Sequence, residues 1–143
     1  MARSRKDPRH RAREAALQIL YHWEIGKNDV AQAADTFFEL QWPHADRAPD
    51  DLRAFASDLV NETVRRLSAI DSLIAETAER WRPERMAVLD RLILRLAVCE
   101  LLRDPATPPA VVINEALELA RTFSTEDAVK FINGMLDGIR KKL

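Results

Sequence analysis

The chain has 143 residues, of which 47% are apolar and 31% charged; this composition indicates one globular domain and excludes a second of ordinary size. Its 22 basic and 23 acidic side chains nearly cancel, so the whole chain is neither a polycation nor a polyanion. No apolar run is long enough to span a membrane, and the basic residues 1–6 are not followed by the apolar region of a secretory signal.

Apolar residues recur at intervals of three and four, and only three glycines occur, which predicts an all-α domain. Prolines, glycines and capping residues divide this pattern into about seven helices. In chain order, the predicted helices cover residues 9–25, 29–40, 50–67, 70–82, 84–103, 111–121 and 125–142.

The fifth predicted helix is apolar in nearly every direction around its axis, which indicates a central position among the other helices. Asp90 near its start must reach the surface or a partner, because burying an unpaired charge is costly. Cys99 in the same helix is the only cysteine, which excludes an internal disulfide and favours a cytoplasmic setting.

Sequence motifs for catalysis are absent: there is no phosphate loop, dinucleotide fingerprint, paired zinc spacing or strand-borne nucleophile. His10, His22 and His44 lie in separate elements, so we expect surface or helix-flank histidines rather than metal ligands. Glu115 and Glu118 stand three apart on one helix, where carboxylates are usually solvated. We therefore expect a binding protein without catalytic residues, metal or cofactor.

Positive charge is concentrated at the N-terminus. Residues 1–13 carry a net charge of +5, which leaves −6 on the rest of the chain. The six basic residues of this cluster are Arg3, Arg5, Lys6, Arg9, Arg11 and Arg13. A basic arm (residues 1–10) on an acidic body favours phosphate binding, the alternative being a solvated tail. Its continuation into the first helix supports the binding interpretation.

Two aromatic residues are candidates for stacking on bases. Tyr21 lies opposite the main apolar stripe of the first helix, where its ring could stack on an unpaired base. Its apolar neighbours Leu17 and Ile25 favour packing under another helix instead. Phe131 lies beside Lys130, and its spacing favours a core position.

Four stretches resemble, in order, the NusB family of bacterial transcription antitermination factors. They are RAREAALQILYHW at 11–23, DRLILRLA at 90–97, VINEALELA at 112–120 and FSTEDAVKFINGMLD at 123–137. The resemblance implies a compact fold of two small helical subdomains that binds the boxA element of ribosomal RNA leader transcripts together with ribosomal protein NusE. This pair joins a complex on RNA polymerase that suppresses premature termination.

The resemblance also implies roles for individual residues. The expected RNA-binding residues are Arg9, Arg11, Arg13, Tyr21, Asp127, Lys130 and Phe131. Asp90 corresponds to the acidic residue that meets NusE. The chain departs from the family at Ser124, often glycine, at Ala128 and Val129, often a Ser-His pair, and at His10, an arginine in some relatives. At His10 a phosphate contact would be weaker and dependent on pH.

Two other interpretations remain open. The helices could form a protein-only interaction module in which the basic arm plays no part. A NusB-like domain is also fused to RNA cytosine methyltransferases; since this chain has neither room for that catalytic domain nor a glycine-rich cofactor loop, we expect the stand-alone form or a fragment of such a protein. A monomer and a homodimer are equally compatible with the sequence.

Overall fold

The computed structural model describes residues 8–27, 29–78, 85–103 and 107–143. These residues form seven α-helices and one π-helical turn, with no strand among them, which confirms the all-α prediction. The elements are α1 (Pro8–Gly26), α2 (Val30–Thr36), the π-helical turn (Phe37–Gln41), α3 (Asp50–Arg65), α4 (Leu67–Thr77), α5 (Val88–Arg103), α6 (Pro109–Phe123) and α7 (Glu126–Lys142). Most of the basic arm, including Arg3, Arg5 and Lys6, lies outside the described residues.

Several predicted helix boundaries differ from the structure: the fourth helix begins at Leu67 rather than residue 70, and the fifth at Val88 rather than residue 84. The second predicted helix is α-helical only to Thr36 and then widens into the π-helical turn, which a three-and-four apolar spacing does not distinguish from α-helix. The fourth ends at Thr77 because Ala78 has non-helical backbone angles (φ −98°, ψ 61°). Trp81, which falls within the predicted range 70–82 of that helix, lies outside the described residues.

The chain divides into two compact units, residues 1–64 and 65–143. In the first unit, α1 packs against α2 and the π-helical turn. Asp29 caps α2, its Oδ2 accepting a hydrogen bond from the Gln32 N–H at 3.3 Å. The core side chains of α1 and α3 are Ala12, Ala16, Leu17, Ile19, Leu20, Leu52, Ala56, Leu59 and Val60.

The second unit is built around α5, which packs against α4, α6 and α7. Every residue from Leu92 to Glu100 is buried, as expected of a central helix. Arg95 is tolerated there because Asp71 of α4 accepts two hydrogen bonds from it, from Nε and Nη2, each at 2.9 Å. No helix in the described residues has the length and apolar character needed to cross a membrane.

Candidate nucleic-acid interface

The arginines of α1 lie on aromatic rings contributed by other elements of the first unit. The Arg9 guanidinium carbon is 4.1 Å from the centroid of the Phe55 ring on α3, and that of Arg13 is 5.3 Å from the same centroid. A guanidinium over a ring face is held by electrostatic attraction to the ring quadrupole. Phe55 therefore fixes two of the expected RNA-binding side chains.

The same arrangement occurs twice more in this unit. The Arg11 guanidinium lies 5.2 Å from the ring centroid of Trp42, and Arg53 of α3 lies 4.9 Å from that of Phe38. The Trp42 indole N–H donates to the backbone oxygen of Asp46 at 2.8 Å, which fixes the ring beneath Arg11. The arginine-aromatic array, as we call these contacts, thus places four guanidinium groups on three rings.

The arginines of α1 differ in how far they reach solvent. Arg9 is exposed and Arg11 partly buried, whereas Arg13 is only 5% exposed. In the described residues the buried Nε of Arg11 has no hydrogen-bond partner. Of these three expected phosphate contacts, Arg9 is thus the most accessible, and Arg13 belongs largely to the packing of the unit.

His10 is not at the surface, so the prediction of a surface or flank histidine was wrong for this residue. It is 5% exposed, and its Nε2 lies 3.2 Å from the Glu14 carboxylate one turn later on α1. Because the ring is buried and lies beside a carboxylate, it is poorly placed for the phosphate contact expected at this position. His44 is exposed, as predicted, and its ring centroid lies 4.8 Å from that of Trp42.

Tyr21 lies on the exposed part of α1. Its side chain is 38% exposed, and its ring meets His22 edge-on with centroids 6.2 Å apart. Of its two apolar neighbours, Leu17 is fully buried but Ile25 is 57% exposed. Within the described residues, therefore, no helix covers this face completely, and the ring can be reached by a ligand.

The remaining expected RNA-binding residues lie together on the first turns of α7, in the second unit. Thr125 caps this helix by accepting a hydrogen bond from the Ala128 N–H at 3.1 Å. Asp127 and Lys130 are exposed, and Phe131 is half-buried rather than in the core. Because Asp127 and Phe131 are four residues apart, they are neighbours on the helix surface.

Asp90, the expected partner-binding residue, has a contact that sequence reasoning missed. It is half-buried at the start of α5, where its Oδ1 accepts a 2.5 Å hydrogen bond from the hydroxyl of Ser124. Ser124 ends α6, so the contact joins the start of one helix to the end of another. In the sequence, the only signal for this contact is a hydroxyl residue between two predicted helices.

A model of the NusB family matches residues 10–141. The chain is 46% identical over 135 residues to the transcription antitermination protein NusB of Solibacter usitatus, covering 94% of this chain and 90% of that protein. It is 44% identical, with the same coverage, to NusB of Koribacter versatilis. The chain belongs to the NusB family.

Solved NusB structures have the same fold. T. maritima NusB superposes with a TM-score of 0.85 at 34% identity, covering 95% of this chain and 92% of that one. A crystal structure of the antitermination factors NusB and NusE in complex with dsRNA gives a TM-score of 0.83 at 28% identity, with 100% of both chains covered. The fold is therefore that of proteins solved in an RNA complex.

Two residues at which the resemblance led us to expect a polar pair lie on the apolar face of α7. Ala128 and Val129 are both buried. At these positions the side chains contribute to the core of the second unit, so neither offers a hydrogen-bonding group at the surface. Any RNA contact from this end of α7 must come from its exposed or half-buried neighbours.

Proposed function

We propose that this chain is a transcription antitermination factor. In this role it binds the boxA RNA of ribosomal RNA leader transcripts together with ribosomal protein NusE, and so helps RNA polymerase avoid premature termination. It acts by binding and not by catalysis, and its work in transcription would place it in the cytoplasm. The observation that carries this proposal is the arginine-aromatic array of the first unit.

The array suits a single-stranded RNA because it supplies cations that are already ordered. Arginine binds phosphate through a rigid, planar fork of donors. Ordering one long side chain on binding costs about 0.5–1.5 kcal/mol, and a guanidinium held on a ring has lost much of that freedom beforehand. Arg9 is the leading phosphate contact because it is exposed while resting on Phe55. We assign Arg11 and Arg13 supporting roles, and Tyr21 a stacking role.

We assign further contacts to the second unit. Asp127, Lys130 and Phe131 offer an acceptor, a cation and a half-exposed ring on neighbouring positions of α7. Asp90 is the proposed contact for NusE. The Ser124 hydroxyl donates to its Oδ1 and so orients the carboxylate, and we assign Oδ2 the role of accepting a donor of the partner.

A fluorescence-anisotropy titration tests the proposal. Labelled boxA RNA and a scrambled RNA of equal length are titrated with the chain, with and without NusE. We expect a preference for boxA that tightens when NusE is added. Equal binding to both RNAs, sensitive only to salt, would reduce the role to nonspecific electrostatic attachment.

Two substitutions assign the effect to the array. Arg9→Gln should weaken boxA binding and lower the slope of log affinity against log salt, because one phosphate contact is lost. Arg140→Gln, at an exposed arginine near the end of α7, removes the same charge elsewhere and should leave boxA binding nearly unchanged. Gel filtration with NusE covers the alternative: a complex that forms with no gain in RNA affinity would favour a protein-only module.

A further inference from the structure

The first unit contains a small cavity beside Tyr21, distinct from the arginine-aromatic array. Its volume is about 200 Å³, and it lies where α1 meets α2 and the π-helical turn. Tyr21 and Ile25 contribute exposed apolar surface, while buried Phe37 supplies an aromatic lining. Thr36 and Gln41, both exposed, add a hydroxyl and an amide.

The π-helical turn explains how these groups come together. In this turn Phe37 and Phe38 are buried while Leu40 is 79% exposed, and the turn ends at Gln41 beside the cavity. π-helical turns are rare and occur frequently at functional sites, because they redirect side chains that a regular helix would place elsewhere. The π-helical turn therefore places the ring of Phe37 and the side-chain amide of Gln41 at the same cavity.

The lining of the cavity indicates the chemistry of its ligand. Its lining residues include His22 but no Lys, Arg, Asp or Glu, so a phosphate would find no permanent counter-charge there. The volume is below the roughly 300–1,000 Å³ typical of sites for drug-sized molecules. The lining offers aromatic rings and a side-chain amide whose NH2 group donates and whose oxygen accepts hydrogen bonds. These groups suit a flat, uncharged ligand that has its own donors and acceptors.

We propose that this cavity receives one unpaired nucleobase of the RNA bound along α1. The Tyr21 ring provides the stacking surface, and the Thr36 hydroxyl and Gln41 amide bond the edge of the base. Tyr21 follows Arg13 by eight residues on the same helix, about 12 Å along its axis, so a strand held by the arginines can extend to it. This inference rests on the proposed function and adds to it a site that selects a base.

The test is an abasic scan of boxA RNA. Each position in turn is made abasic, and affinity is measured by anisotropy in the presence of NusE. For the wild-type chain we expect one position to weaken binding about tenfold or more, the scale of losing a stacked base. In Gln41→Ala and Thr36→Val, the same abasic position should cost clearly less, because part of its recognition is already gone.

Leu40→Ala is the matched control, since Leu40 lies in the same π-helical turn but does not line the cavity. It should retain the full abasic penalty. Circular dichroism and thermal unfolding verify that Gln41→Ala and Thr36→Val fold normally. Two results would refute the nucleobase site and leave the proposed function standing. In the first, boxA is preferred but no single abasic position weakens binding more than the others. In the second, the abasic position causes the same loss of affinity in the variants as in the wild-type chain. If the wild-type chain shows no boxA preference, the proposed function fails with it.

Discussion

Phe55→Leu tests whether the arginines of α1 act through the ring beneath them. Leucine keeps an apolar side chain at a half-buried position of α3 but removes the ring face that holds Arg9 and Arg13. No charge is lost, so the number of available phosphate contacts stays the same. We expect weaker boxA binding caused by the loss of order in the two arginines.

The magnitude follows from the two contacts. A guanidinium over a ring is worth about 0.5–1 kcal/mol at an exposed site and about 2 kcal/mol when desolvated. Arg9 is exposed and Arg13 is buried, so the two contacts fall at the lower and upper ends of this range. Only part of the free energy of each contact contributes to the free energy of RNA binding. A total of about 1–2 kcal/mol corresponds to an affinity loss of roughly 5- to 30-fold.

The assay is a set of anisotropy titrations of boxA RNA at several salt concentrations. Phe55→Leu should shift the whole plot of log affinity against log salt downward without changing its slope. Arg9→Gln should lower the slope by about 0.7, the value for one phosphate contact to a single strand. Unchanged affinity in Phe55→Leu would refute the reasoning. A smaller slope of log affinity against log salt would also refute it, because the loss of the ring would then have removed a phosphate contact.

Two further predictions concern the second unit. Ser124→Ala should weaken NusE binding severalfold in calorimetry, because the Asp90 carboxylate loses the hydrogen bond that orients it. In an Asp90→Asn background the same substitution should cause no further loss of affinity. If the two losses add, Ser124 does not act through Asp90. Gly134→Ala should raise the free energy of unfolding in urea by about 0.5–1 kcal/mol, since its added methyl meets no atom within 4 Å. Gly138→Ala should not, because its methyl would lie 2.9 Å from Cγ2 of Thr77; an equal gain at both glycines would contradict the packing.

The sequence predicted the helices well because their signals are local. Apolar spacing, prolines and capping residues lie within each segment, and the surrounded position of α5 follows from its composition alone. The π-helical turn was missed because its extra residue per turn leaves no mark in a short apolar run. The resemblance to the NusB family supplied the candidate RNA-binding residues, which composition and spacing alone could not select.

The contacts that shape the candidate site were missed because they join distant segments. Phe55 belongs to the apolar stripe of its helix, and nothing in that stripe marks it as a support for Arg9 and Arg13. A charge on α5 could be predicted to need a partner, but not that Asp90 would find it in Ser124, 34 residues later. Local patterns thus identify which side chains need a partner, whereas the tertiary fold selects the partner. Charge counting therefore treats the arginines of α1 as equivalent, although their packing makes Arg9 a surface contact and Arg13 part of the interior.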